Sequence, residues 1–516
     1  MKREAFTHPQ HTFEVAPNVV QAIYQPSNLP DFAGNPLIEA LPPYYDGTEY
    51  LANLASYPPF SPDERTMSPS YRLHAIARLR TFLKPVPWHL SVARDIFRHV
   101  WEGYRHRNPL VNRQEMLERN YNAAIETGIF HPLQEHVPSH ASTFGLLGAS
   151  GIGKSTVVDR ALRCLPQVVI HKQHGIAQLV WLKVECPPDG SLKQLMHWIL
   201  EQVDAAMGSN YRSYMGERSP VDERMALVGR VLEKHFTGLL VIDEIQNVLA
   251  DVRKHYRNID FFMTFANRIR VPSMHVGLPS AMKLYPDNMH SKRRASESGI
   301  RVLPPKMPNK EWSGYLNELL TYQWLEKPAT KEELEPILRE KSQRNPSLAT
   351  SLFMLAQTMA IEAGMETLTS AFVKKVADRH FTIIKPLTNA IRSNNEEMIA
   401  LHSAAMKGIE DTVSHANDTA ANRVKLEEMA KHRITHEAIA NAAASLITLG
   451  KKQDEVMSKL KELAKAKPDC DAGWLVKRYL EWEADTSKAT TTRALEAELA
   501  AQMERDQEEL KKGGKK

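Results

Sequence analysis

The sequence predicts an α/β protein with a parallel central sheet, set between two largely helical regions. Three observations carry that expectation. Between about residues 143 and 280, short apolar runs (FGLLG, QLVWLKVE, GLLVIDEI and MHVGL) alternate with helical stretches such as Ser191 to Met207, as expected when parallel strands return through crossover helices. The first run leads into a glycine-rich loop that opens a helix. On either side the alternation gives way to helical spacing.

At 516 residues the chain is too long for one core and divides into two or three domains of ordinary size. Its 66 Lys and Arg against 61 Asp and Glu leave a formal charge of +5, which excludes bulk polybasic character and confines any nucleic-acid surface to a local patch. Three cysteines cannot supply a disulfide framework, and the chain does not open on a charged leader with an apolar run, so a cytoplasmic setting is expected. No apolar run approaches the ~20 residues needed to cross a bilayer, and no membrane partner is expected.

Residues 1–70 hold eleven of the 31 prolines, which fix φ and remove donors, so this arm is expected to be irregular. Its aromatics, among them Phe13, Tyr24, Phe32 and Tyr44, are more than a free linker carries and predict docking on a partner. Residues 71–140 form a helical region, with Leu73, Ile76, Leu79 and Leu83, then Val92, Ile96 and Val100, at helical spacing. The α/β core covers 141–305 and a helical segment 306–385. From 386 to 516 a second helical extension is expected, because no proline occurs between Pro386 and Pro468 and Ala, Glu, Lys and Met dominate. Leu446, Leu449, Val456, Leu460 and Leu463 share a stripe that Gly450 interrupts, which favours two or three separate helices over a coiled coil.

The chemistry is concentrated in two motifs. Gly148-Ala149-Ser150-Gly151-Ile152-Gly153-Lys154-Ser155-Thr156 fits G-x-x-x-x-G-K-[ST], between a strand and a helix. Glycines let backbone amides wrap a phosphate at a helix N-terminus, Lys154 reaches the β/γ oxygens, and Ser155 is a Mg²⁺ ligand. Gly148, Gly151, Gly153, Lys154, Ser155 and Thr156 are therefore the expected ATP contacts. Gly238 to Glu244 is an apolar strand ending in two acids, a Walker B pattern: Asp243 as the second metal ligand and Glu244 as the catalytic group that polarises water.

Other basic residues allow more than one reading. An arginine finger completed across a subunit boundary has two candidate pairs, Arg268 with Arg270 and Arg293 with Arg294 in SKRRASES; the second is preferred as catalytic, and a basic surface loop is the competing reading. Arg253, Lys254 and Arg257, beside Tyr256, form a candidate DNA contact, extended by Lys183 and Lys193 around Cys186-Pro187-Pro188-Asp189-Gly190. Solvated loop charge is the alternative. Cys164, His171, His174 and Cys186 lack the spacing of a zinc site.

These motifs, together with the stretch Gln178 to Ser191 (QLVWLKVECPPDGS) and Trp101-Glu102-Gly103-Tyr104-Arg105-His106-Arg107-Asn108-Pro109, resemble the AAA+ regulators of transposition of the TnsC type, related more distantly to TniB and the bacteriophage Mu B protein. The resemblance spans about residues 70 to 385. It implies an AAA+ P-loop NTPase with 306–385 as the helical lid, and a bacterial, DNA-associated ATPase that uses ATP and Mg²⁺. It further implies assembly as a ring or helical oligomer, hexameric or heptameric per turn, on double-stranded DNA. Such regulators join a TniQ/TnsD-type target selector to a TnsA/TnsB-type transposase, and hydrolysis disassembles them. Tyr104 and Arg107 match a region that lies near the nucleotide in relatives. Two departures stand out: Gly277-Leu278-Pro279-Ser280 lacks a polar sensor at the end of the fourth strand, and Arg344-Asn345-Pro346-Ser347 stands where a sensor arginine is usual, with Arg344 as the substitute. Slow or partner-stimulated hydrolysis follows. A helicase loader or initiator ATPase of the DnaC or Orc type is the rival that shares both motifs.

Overall fold

The computed structural model describes residues 18–43, 52–110, 142–249 except 217, 265, 269, 271–285, 299–403, 405–467, 470–486, 497–498 and 502. The chain forms two compact units, Met1–Asn417 and Asp418–Lys516.

The first unit is built around a five-stranded sheet: β2 (Thr143–Leu147), β5 (Trp181–Glu185), β6 (Leu239–Asp243), β7 (Ser273–Gly277) and β8 (Ile300–Val302), in the order β5-β6-β7-β2-β8. Every pairing is parallel. Both faces are covered by helices, which is why β6 and β7 are buried at every position. This is the AAA+ P-loop fold. The strand order reverses at β2: the chain runs β5, β6, β7 toward it and then crosses to β8 on its far side. Ligands of open α/β sheets bind at such a switch point, beyond the carboxyl ends of the strands.

The run QLVWLKVE, expected as one strand, is two. β4 (Ile176–Leu179) pairs antiparallel with β3 (Val168–His171), and β3 pairs parallel with β1 (Val19–Gln21) in a separate three-stranded sheet. The chain changes sheets at Val180, fully buried, whose N–H donates to Gln167 O at 2.8 Å.

The arm likewise departs from expectation. Its described part packs on its own chain: β1 joins β3, and Leu37, Ile38 and Leu41 around the short helix α1 (Pro36–Glu39) are buried in the core with Val92, Ile96 and Phe97. The aromatics taken as bait for a partner are partly spent here, with Tyr24 and Phe32 packed against that core; Phe13 and Tyr44 lie outside the described residues. Helices α2 (Pro69–Ile76) and α3 (Pro87–Tyr104) follow. Arg65 and Arg72 donate to the carbonyls of Gln323 and Trp324, tying this region to the lid.

Within the core, α4 (Lys154–Leu162), α5 (Leu192–Met207) and α6 (Val221–Lys234) flank the sheet. The lid comprises α7 (Asn309–Leu319), α8 (Lys331–Ser342), α9 (Pro346–Glu362) and α10 (Ser370–His380), around Trp312, Trp324, Leu338 and Phe353. Beyond it come α11 (Lys385–Ser393), α12 (Glu396–His402), the 44-residue α13 (Ala405–Thr448) and α14 (Gln453–Ala466). The second unit has its own core, where Leu446, Val456 and Leu460 meet Leu475 and Tyr479 from a helix over 472–486. Gly450 (φ 84°) makes the turn between α13 and α14, and Leu449, expected on the apolar stripe, is 63% exposed beside that turn.

Candidate nucleotide-binding site

The P-loop joins the C-terminal end of β2 to the start of α4. Gly151 (φ 76°) and Gly153 (φ 100°) have left-handed backbone, which glycine adopts without a Cβ penalty. A loop of this shape, ending at a helix N-terminus, favours an anion through its amides and the helix dipole. Gly148 anchors it, donating its N–H to Gly277 O at the end of β7 at 3.0 Å.

Lys154 is buried and donates to Gly148 O at 2.9 Å and Ala149 O at 3.0 Å. Burial pushes its ammonium down to about 8, and the carboxylates of Glu244 and Asp243 oppose that shift. Asp243, 4% exposed at the end of β6, accepts from the Glu244 N–H at 2.9 Å through Oδ1. Its Oδ2 lies 3.0 Å from Lys183 Nζ, which also reaches Asp159 Oδ1 on α4 at 2.6 Å. Burial alone would lower the Lys183 ammonium, but the two carboxylates outweigh it and hold it raised.

Glu244 is exposed and adopts φ 53°, a strained conformation for a side chain of its kind, and Gln246 Nε2 donates to its carboxylate. From the lid, Gln343 (φ 52°) and Arg344 (φ 61°) form a left-handed turn that delivers Asn345 to the P-loop. Asn345 caps α9 by accepting from Leu348 N–H at 3.2 Å, while its Nδ2 donates to Ser150 O at 2.8 Å. Ser347 N–H donates to Gly151 O at 3.2 Å, and a Cβ at Gly151 would strike the Met406 methyl.

The structure brings together Gly148, Gly151, Gly153, Lys154, Ser155 and Thr156 with Asp243 and Glu244. The donor set has the chemistry that a polyphosphate with a divalent cation requires: the Ser155 hydroxyl and Asp243 carboxylate would be its oxygen ligands and the Lys154 ammonium its phosphate cation, with the exposed Glu244 carboxylate next to Asp243.

Other expectations are redirected. Tyr104 and Arg107 sit at the opposite end of β6, where Arg107 donates to Gly103 O at 2.6 Å and Thr237 O at 2.8 Å and stacks on the Tyr104 ring. Tyr104 is fully buried, and a Cβ at Gly238 would collide with its hydroxyl. Both are braces under the sheet, because the motif ends α3 at the amino edge of the parallel strands. Lys183, expected on DNA, is held by Asp159 and Asp243. Lys193 is exposed in the first turn of α5. Arg344 hydrogen-bonds Asn309 Oδ1 at 2.6 Å. Arg253, Lys254, Arg257, Arg268, Arg270, Arg293 and Arg294 lie outside the described residues. Gln246 and Asn345 were not picked out from sequence, although Asn-Pro before an apolar run is a helix-start signal.

Residues 138–284 match the family model for an AAA domain. This stretch is an AAA domain. It contains the P-loop, Asp243, Glu244 and the end of β7. No curated protein matches the chain. Among solved structures, the AAA domain and its surroundings are similar to the Aeropyrum pernix ORC2 protein in its ADPNP–ADP complexes, at 12% identity over 62% of this chain and 95% of that one, with a TM-score of 0.33. The Aeropyrum pernix ORC1 protein in complex with DNA gives 14% identity over 61% and 87%, with a TM-score of 0.33. The Thermotoga maritima RuvB Holliday junction branch migration motor gives 15% over 54% and 74%, with a TM-score of 0.27. Among the described residues no helix is long and apolar enough to cross a membrane.

Proposed function

We propose that the protein is an ATPase that assembles on double-stranded DNA and regulates transposition. The observation that carries the ATPase reading is the convergence of Lys154, Asp243 and Glu244, from two parallel strands, at the switch point of the sheet, with the Lys154 ammonium feeling both carboxylates. Mg²⁺ bound with ATP supplies charge neutralisation at the phosphates; Lys154 and the loop amides hold the phosphates, Ser155 and Asp243 hold the ion, and Glu244 orients water toward the terminal phosphate. The closeness of the lid to the P-loop through Asn345 and Ser347 supports coupling between nucleotide and lid position.

The transposition reading rests on the CPPDGS and GYRHRNP segments. In it the protein forms rings or helical filaments on duplex DNA with ATP and connects a TniQ/TnsD-type selector to a TnsA/TnsB-type transposase, and hydrolysis releases it. The helical extension over 386–516 is the element we propose for transposase contact, as the resemblance to the TnsC-type regulators implies. An AAA domain serves an initiator or helicase loader equally well, and dependence of the activity on a transposase and a transposon end separates the two.

Electron microscopy with duplex DNA and either ATP or a slowly hydrolysed analogue tests the assembly, with Lys154→Ala as control. Nucleotide-dependent rings or filaments that vanish in the variant are expected. A protein that stays monomeric and off DNA with every nucleotide would sink the DNA-scaffold reading and leave only the ATPase.

A further inference from the structure

The fourth strand of the sheet, β7, runs out into Gly277-Leu278-Pro279, three residues without a polar side chain. The structure fills that position from a neighbour. Gln246, two residues past Glu244, accepts through Oε1 from the Leu278 N–H at 3.0 Å and donates through Nε2 to the Glu244 carboxylate. The amide orientation is fixed by chemistry: a backbone N–H can only donate and a carboxylate can only accept, so the oxygen faces Leu278 and the nitrogen faces Glu244.

The peptide unit that holds Gln246 also holds the P-loop. The Leu278 N–H and the Gly277 C=O belong to one planar trans peptide, and Gly277 O accepts from the Gly148 N–H at 3.0 Å. Its two polar groups point in opposite directions, one to the first residue of the P-loop and the other, through Gln246, to the carboxylate. Residue 277 must be glycine for this, because a Cβ there would collide with Gln246 Oε1 and crowd the Ile245 side chain. Glu244 itself has strained backbone at φ 53°, so its placement depends on such outside support.

We infer that Gln246 is the positioning residue for Glu244, supplying with the 277–278 peptide the polar link between P-loop and carboxylate that the side chains of Gly277, Leu278 and Pro279 do not provide. The inference rests on the ATPase reading above. A glutamine suits the task because it donates and accepts at once; an aliphatic residue does neither, and a glutamate cannot donate to Glu244 and repels it.

The test is steady-state phosphate release by the full chain, read as kcat and KM for ATP, with the Kd of a fluorescent ATP analogue and the melting temperature measured alongside. Glu244→Gln serves as the reference for lost chemistry. Gln246→Ala is expected to lower kcat by about 10- to 100-fold, as misplacement of a catalytic group does, with Kd and melting temperature unchanged. Gln246→Glu keeps the size and the contact to Leu278 and is expected to fall at least as far, which a space-filling role would not produce. If Gln246→Ala keeps kcat within twofold of the parent while Glu244→Gln abolishes it, or if Kd rises with kcat unchanged, the positioning role is overturned and the ATPase reading stands. If the parent releases no phosphate under any condition, both fall together.

Discussion

The two ends of β6 each gather polar residues around a cation, for opposite purposes. At the carboxyl end stand a lysine, two acids and a glutamine; at the amino end, an arginine, a tyrosine and a threonine around Gly238. The arginine at the lower end is turned to backbone: its Nε and Nη1 hold the carbonyls of Gly103 and Thr237. Its Nη2 and the Thr237 hydroxyl are buried without a hydrogen-bond partner among the described residues, a place where packing was favoured over polar satisfaction. At the upper end Lys154 is buried too, yet its hydrogen bonds among the described residues go to carbonyls of its own loop, and Glu244 is exposed. A parallel sheet makes the difference, since its carboxyl ends open on loops and helix N-termini while its amino ends are closed by packing.

The sharpest way to break that comparison is to remove the cation at each end. Lys154→Ala is expected to abolish nucleotide binding with little change in melting temperature. Arg107→Met is expected to do the reverse, costing about 2 kcal/mol of stability as two charge-assisted hydrogen bonds are lost, with nucleotide affinity of the folded protein intact. Denaturant unfolding and analogue titration on both variants measure this. An Arg107 variant that loses nucleotide without losing stability would restore the sequence-based expectation that Arg107 belongs near the ligand.

What could be read from the sequence follows the same division. The P-loop and the Asp243-Glu244 strand end were legible because each is defined by adjacent residues: glycines at positions needing left-handed φ, then a helix, and an apolar run ending in acids. The break at Val180 was not legible, since an apolar residue buried between two sheets looks like one continuing a single strand. Nor was the fate of the arm, whose β1 is three residues long and meets Val168 and its neighbours only in the fold. Tyr104 and Arg107 were misplaced because a motif carries residue types but not which end of a strand they reach. Gln246 was in plain view beside Glu244, but its role depends on the Leu278 N–H, which no spacing reveals.

A smaller effect sharpens the upper end of β6. Lys154 titrates near 8 in the folded protein, below an ordinary lysine. Between about pH 8 and the ordinary lysine value the unfolded chain therefore binds more protons than the folded one, and stability rises with pH. Below about 8 both states are protonated, and the cost of burying the charge is constant. In the absence of nucleotide, the stability of the parent is expected to climb through that window with a slope of up to about 1.4 kcal/mol per pH unit from this group, a slope that Lys154→Met lacks. Urea unfolding from pH 7 to 10 on both proteins checks it; parallel curves would mean the ammonium is better solvated than its surroundings imply.

The smallest predicted effect decides what Lys183 is for. Its ammonium lies 3.0 Å from Asp243 Oδ2 and 2.6 Å from Asp159 Oδ1, so it competes with a divalent cation for the same carboxylate. Lys183→Met removes the competitor while keeping most of the stem's packing, and the Mg²⁺ concentration needed for half-maximal nucleotide binding should fall by about threefold, a modest figure because the pair is partly exposed. Duplex DNA affinity should stay the same, since a lysine held by two acids has little charge to offer a phosphate. Fluorescence titration with Mg²⁺ and DNA-binding anisotropy give the two readings. Weakened DNA binding with an unchanged Mg²⁺ requirement would move Lys183 from the nucleotide site to a DNA-facing surface, and would make its contacts with Asp159 and Asp243 the arrangement of a protein not yet on DNA.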